Sequence, residues 1–174
     1  MICVADGFAP SMPRVDIVGV RGKIADPKVL VEALQNLSAG QGLALNADLV
    51  CGIDHLRSAV AHAKRAFERG RNVSSTLAME TMLYASGERQ ISRAMEKIGV
   101  QEGTKRVAVV LFDVDDVGIT LHSLGLTRDD SVIEPSTEKV IRFGISEREM
   151  EAVPEETWPD LVLERVAFVE LQKR

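Results

Sequence analysis

The stretch DHLRSAVAHAKRAFERG, residues 54–70, decides the architecture of this chain. At about 100° per residue, Leu56, Ala59, Val60, Ala63, Ala66 and Phe67 fall on one face, so the segment predicts an amphipathic helix with that face turned to a core. Asp54 is the predicted N-cap, and Gly70 the stop, because glycine enters the left-handed region without a Cβ clash. Two further helices follow with no strand between. One runs over 75–85, capped by Ser74 or Ser75 and stopped by Gly87. The other covers 88–98, with Ile91, Ala94, Met95 and Ile98 on one side and Gly99 behind it. Three successive helices joined by short Gly- or Ser-marked turns predict a helical layer.

Outward from this layer the patterns shorten. Residues 15–20, 43–51, 107–112 and 139–145 read as strands. Asp26 followed by Pro27 opens a helix through Ser38, with Gly40 and Gly42 beyond it. Thr157-Trp158-Pro159-Asp160 resembles a capping box that opens a last helix through Leu171, although that segment is also rich in β-branched residues. Helices and strands mix without strict βαβ alternation. The expectation is therefore an α+β fold: a single domain over 15–174, with a small mixed or antiparallel sheet packed with a layer of helices. Residues 1–14, punctuated by Gly7, Pro10 and Pro13, are expected to form a flexible tail. No element is assigned to 113–138.

With 45% hydrophobic and 27% charged residues, the 174-residue chain has the composition of a soluble domain. No apolar run reaches the roughly 18 residues of a membrane span, and no secretory signal pattern opens the sequence, so a cytoplasmic protein without membrane contact is expected. Cys3 and Cys51 have no ligand spacing and read as ordinary thiols of a reducing compartment. The net charge of −5 is unevenly spread: residues 54–71 carry five basic and two acidic side chains, residues 113–174 seven basic and fifteen acidic. An anionic partner is expected to meet the first of these segments.

Candidate chemistry is sparse. His55 and His62 share a helix face, but Arg65 and Arg69 stand where a third metal ligand would be needed, so both are expected to be plain surface histidines. Asp113, Asp115 and Asp116 follow a strand, where magnesium carboxylates sometimes sit and where turn aspartates are common. No phosphate loop, GxSxG or nucleophile–base order occurs. The chain is therefore read as a binding protein without catalytic residue, metal or cofactor. The alternative is a small-molecule-binding or enzymatic α/β domain built on His55/His62 or Asp113/Asp115/Asp116. Two surfaces carry more information. On helix 54–69, His62, Arg65 and Arg69 form a stripe, with Arg57 and Lys64 beside it and Arg71 in the turn. Helix 75–85 is apolar almost all round, with Leu77, Met79, Met82, Leu83 and Tyr84, and Glu80 its only charge; such a helix is either buried or docked on a partner.

LNADLVCGIDHLRSAVAHAKRAFERGRN at 45–72 and METMLYASGERQISRAMEKIGV at 79–100 resemble the kinase-binding subunit family of the KEOPS complex. The matching features are Met79-Glu80, Ala85-Ser86-Gly87, Gln90-Ile91 and Ile98-Gly99 in order. VGVRGKI at 18–24 and LERVAFVELQKR at 163–174 are also similar, whereas 1–14 and 113–138 depart from the family pattern. The resemblance implies a non-enzymatic partner of a small atypical kinase/ATPase, in an assembly that installs threonylcarbamoyladenosine on tRNA, with a contact to the tRNA 3′ CCA end. Kinase binding is then expected at Leu77, Met82, Leu83 and Met95 together with Val166 and Val169. The tRNA end is expected at Arg57, Lys64, Arg65, Arg69 and Arg71, with Asn72, Arg89 and Gln90 supplying base-edge groups.

Overall fold

The computed structural model describes residues 12–172. Strand β1 (Val15–Arg21) is followed by α1 (Pro27–Gln35) and β2 (Gln41–Asn46), then by α2 (Ile53–Glu68), α3 (Leu77–Ser86) and α4 (Ile91–Ile98). After β3 (Arg106–Phe112) come α5 (Val117–Ser123), the two-residue β4 (Thr127–Arg128), α6 (Thr137–Phe143), α7 (Glu147–Glu151) and α8 (Trp158–Gln172). The four strands form one antiparallel sheet in the order β2-β3-β1-β4. This is the α+β architecture expected.

β3 is the spine of the sheet. RVAVVLF is buried from its second residue to its last, since both faces of the sheet are covered and alternation with polar residues has no use there. Its Ala108, Val110 and Phe112 face α2, α3, α4 and α8. Val107, Val109 and Leu111 face Leu30 and Leu34 of α1 and Leu121 of α5. A third cluster, around Cys51, Val140, Phe143 and Val162, lies where α6 and α7 meet α8. β1 is crossed closely at Gly19: a Cβ there would lie 2.5 Å from the carbonyl oxygen of Asp129, whose N–H donates to Gly19 at 2.8 Å.

The predicted helical layer is present, with adjusted ends. α2 begins at Ile53 after Gly52, so Asp54 lies in its first turn instead of capping it, and pairs with Arg57 at 3.3 Å. Gly70 (φ 61°) closes it as expected: Arg71 N–H reaches Ala66 O at 2.8 Å and Gly70 N–H reaches Phe67 O at 3.1 Å, a Schellman ending. The cap of α3 is Thr76, which accepts from Met79 N–H at 3.2 Å, not Ser74 or Ser75. Ser74 lies two residues before that cap, its N–H held by Glu80. The Glu80 carboxylate, fully buried, accepts from the N–H groups of Val73 and Ser74 at 3.0 and 2.8 Å. The only charge on α3 thus staples the α2–α3 turn.

Two strand expectations are corrected. Residues 43–51 divide into β2 and a 3-10 turn, Ala47–Leu49, where the Asn46 side chain accepts from Asp48 N–H. Residues 139–145 are not a strand: 139–143 belong to α6. Ser136 caps it, Gly144 (φ 107°) ends it, and Val140 and Phe143 point inward at helical spacing while Ile141 is exposed. Local cap chemistry outweighs the β propensity of Val140 and Ile141 there. α1 ends at Gln35, three residues short of expectation, where the Asn36 side chain and backbone both donate to Glu32 O. The unassigned 113–138 stretch contains α5, β4 and a 3-10 turn, Asp130–Ile133, whose exit is fastened by buried Lys139 through Val132 O at 2.6 Å and Glu134 O at 2.7 Å. Of the expected tail, 1–11 lie outside the described residues. Pro13 O accepts from Lys64 Nζ at 2.9 Å, and Arg14 N–H donates to Asp113 at 2.8 Å.

Removing the Glu80 staple should destabilise the chain without altering its fold. Glu80→Ala leaves two turn N–H groups without their acceptor, a loss of about 2–3 kcal/mol. Urea unfolding at pH 7 measures it; a variant as stable as the parent would show that water replaces the carboxylate at no cost.

Candidate functional site

α3 proves to be largely buried within the chain. It is packed between α2, α4 and α8 and lies over β2, and Met82, Leu83 and Tyr84 are almost completely inaccessible. Val166 and Val169 of α8 are also fully buried, pointing back at the same core. Four of the six residues expected to bind a kinase, Met82, Leu83, Val166 and Val169, are therefore core residues; full burial was possible because the neighbouring helices enclose α3. Leu77 is half-buried and Met95 is 49% exposed. Met95 borders a groove of about 660 Å³ between α1, β2, α3 and α4, floored by Leu43 and Met79, with Lys28, Glu32 and Gln41 among its polar lining residues.

The exposed apolar surface of α8 lies elsewhere. Phe168 (50% exposed) and Leu171 (56%) stand three residues apart on its outer side. Both belong to the quoted stretch 163–174, yet periodicity could not choose between them and the valines. α8 is apolar on several faces, and only the position of its neighbours selects which face is solvent.

The cationic stripe is present but divided. Arg57 and Lys64 line a shallow depression against Val15 and Ile17 of β1. Arg65 and Arg69 lie toward α8. There Arg69 Nη1 is 3.2 Å from Glu170 Oε1, and His62 Nδ1 is 3.1 Å from Glu170 Oε2. Arg65 Nη2 lies 3.0 Å from the same Nδ1. His62 stacks on Tyr84, ring centroids 5.2 Å apart, so the stripe is anchored to the core through α3. Arg71 is exposed in the turn, and the Asn72 amide donates to Ser74 O at 3.0 Å. Arg89 reaches the carbonyl of Gln172 at 3.4 Å, and Gln90 is the exposed N-cap of α4. The end of α8 therefore meets Arg69 and Arg89, two residues singled out on different turns. Glu170, which draws them together, was not singled out: in the sequence it is one acid among many. The hydrogen bond from His62, with the charges of Arg69 and Arg65, holds its carboxyl below the ordinary carboxylate range.

Of the residues of the alternative enzymatic reading, His55, His62, Asp113 and Asp116 have structural partners and Asp115 is exposed. His55 is buried, a correction to its expected surface position. Its Nδ1 accepts from Cys51 N–H at 3.1 Å, its Nε2 donates to Ala85 O at 2.8 Å, and its ring meets Phe143 edge-on at 5.3 Å. Burial lowers its pKa to about 4, and burial raises the Cys51 thiol to about 11. Asp113 (φ 53°) exchanges hydrogen bonds with Arg14, and Asp116 caps α5 through Ile119 N–H at 2.8 Å. Among the described residues, no His, Cys, Asp and Glu side chains are grouped so as to hold a metal ion, and no helix is long and apolar enough to cross a membrane.

Residues 23–153 match the profile of the family described as kinase binding protein CGI-121. The chain belongs to this family. It is 32% identical over 131 residues to a protein of Methanocaldococcus jannaschii named regulatory protein Cgi121, a match covering 74% of this chain and 83% of that one. The matched span includes the whole α2–α4 layer and its stripe.

The buried His55 makes stability depend on pH in a defined direction. The folded state holds the neutral ring, so below pH 6.5 the unfolded chain binds the extra proton. The contribution of His55 is complete above pH 6.5 and is lost as pH falls toward about 4. At about 1.4 kcal/mol per pKa unit, it amounts to roughly 3 kcal/mol. Urea unfolding of the parent and of His55→Gln at pH 7 and pH 4.5 tests this: the variant should lose less stability on acidification, and parallel losses would exclude His55 as the titrating group.

Proposed function

We propose that this chain is a non-catalytic subunit of a KEOPS-type assembly, in the cytoplasm. It binds and activates the small atypical kinase/ATPase and holds the single-stranded 3′ CCA end of tRNA. Membership of a kinase-binding family supports the first half, and the likeness to a protein named as regulatory is consistent with it. The observation that carries the reading is the pairing of two unlike surfaces at one end of the molecule: exposed Phe168 and Leu171 on α8, and the cations of α2 beside Glu170 of that same helix.

Phe168 and Leu171 replace the buried valines as the α8 contact, with Met95 and Leu77 as the α3–α4 contribution. Interfaces of this kind rest on a few large apolar anchors surrounded by weaker contacts. The kinase is activated if the subunit binds its active arrangement more tightly than its inactive one. On the nucleic-acid side, Arg65, Arg69, Arg71 and Arg89 supply charge near the end of α8, Arg57 and Lys64 extend it toward β1, and Asn72 and Gln90 offer base-edge donors and acceptors. Tyr84 is buried under His62, so stacking contributes little and affinity is mainly electrostatic.

Co-purification with the cognate kinase tests the first half. Phe168→Glu and Leu171→Glu should each weaken binding by about tenfold or more, the effect of a charge placed in an apolar anchor site, while the far-ultraviolet circular dichroism stays unchanged. Met82→Glu should instead fail to fold. Full kinase recovery with both α8 variants would move the interface elsewhere.

For the second half, a tRNA transcript with its CCA end should bind more tightly than one without it. Arg65→Glu combined with Arg69→Glu should abolish that difference, and log affinity should fall with log salt by about 0.7 per phosphate neutralised. The isolated chain should hydrolyse neither ATP nor simple phosphate esters; turnover that survives stringent purification would contradict the reading.

A further inference from the structure

Glu170 lies against the cationic stripe. Its two carboxylate oxygens are divided between Arg69 Nη1 at 3.2 Å and His62 Nδ1 at 3.1 Å. The carboxylate is about one-fifth exposed, so it is partly shielded from screening. His62 Nδ1 also faces Arg65 Nη2 at 3.0 Å. One nitrogen cannot donate to the carboxylate and accept from the guanidinium at once. When His62 donates to Glu170, Arg65 loses its partner on the ring; when Glu170 leaves, the ring is free to accept from Arg65. The groups facing this carboxylate are His62, Arg65 and Arg69 from α2, which form one exchangeable set, and Tyr84 of α3 behind them. Beyond it, at the last turn of α8, Arg89 is held by the carbonyl of Gln172.

We infer that Glu170 is a built-in competitor of the RNA backbone: in the free chain it neutralises Arg69 and engages His62, and an RNA phosphate must displace it to reach both. The inference rests on the proposal that the stripe binds the tRNA end. It adds a means of regulation, because Glu170 stands on the helix that carries Phe168 and Leu171, three residues apart around it. Leu171 is the next residue, about 100° around the helix, so a partner whose contact extends round α8 from Leu171 and offers a cation to the carboxylate releases Arg69 for RNA. Coupling of this kind is reciprocal, so bound RNA would in turn tighten the partner.

A double-mutant cycle on RNA affinity tests the inference. The probe is a tRNA transcript ending in CCA, at low salt, with the full chain and no partner. Glu170→Gln should bind the RNA about two- to fivefold more tightly than the parent, the range spanned by partly exposed ion pairs. In an Arg69→Ala background the same substitution should have almost no effect, since the cation it liberates is gone. An equal gain in both backgrounds would reduce Glu170 to a general negative charge and overturn the inference. So would a loss of affinity in Glu170→Gln, which would make the carboxylate a positioning group for the cations. If the parent binds and Arg65→Glu with Arg69→Glu does not, while Glu170→Gln leaves affinity unchanged, the competitor role fails and the RNA-binding proposal stands. If the parent and Arg65→Glu with Arg69→Glu bind alike, the RNA-binding proposal itself fails. Thermal unfolding of each variant confirms that the fold is intact in every comparison.

Discussion

Helix α3 is enclosed over most of its surface, and the molecule is arranged around that constraint. A ten-residue helix with buried side chains on every side needs neighbours on every side. The sheet supplies one, and α2, α4 and α8 supply the others. Once α3 is inside, α2 and α8 are outer elements, each with one face on α3 and one face free. Their free faces meet edge to edge, which brings cations from residues 62–69 beside an acid at 170.

Polar groups inside this arrangement are spent on holding it. Glu80 is consumed by the turn that delivers the chain from α2 to α3, and Lys139 by the carbonyls of the 3-10 turn before α6. His55 bridges the start of α2 to the C-terminal end of α3 as a neutral ring. A carboxylate, an ammonium and an imidazole in one small domain suggest chemistry when read as residue types. With backbone atoms filling these hydrogen-bonding positions, they are fasteners.

The two surfaces that remain differ in how tightly they are built. Phe168 and Leu171 are large apolar side chains about half exposed to solvent. The cations of α2 are restrained, by the Tyr84 stack behind His62 and by Glu170 in front. A surface whose charges are already partnered trades affinity for control, because each new contact must first replace an internal one. That is the sense in which the α8 end of the molecule can tie the occupancy of one surface to the other.

The sequence by itself determined the local elements whose signals are local. The amphipathic period of α2, the Asp26-Pro27 start of α1, the glycine stops at Gly70 and Gly87 and the apolar run of β3 all depend on residues within a turn or two of one another. The α+β class and the family resemblance followed from these. Tertiary structure alone decided which apolar residues are surface. Met82 and Phe168, or Val166 and Leu171, are equivalent in hydrophobicity, and the difference between core and interface lies in which helix stands opposite. It also decided the partners of the stripe, since Glu170 lies 101 positions from Arg69 and nothing between them in the chain marks the pair. Where a local cap competed with a β-branched composition, as at 137–143, the cap prevailed: Ser136 and Gly144 satisfy backbone groups that a strand would have needed a neighbour to satisfy, and the fold brings no strand there.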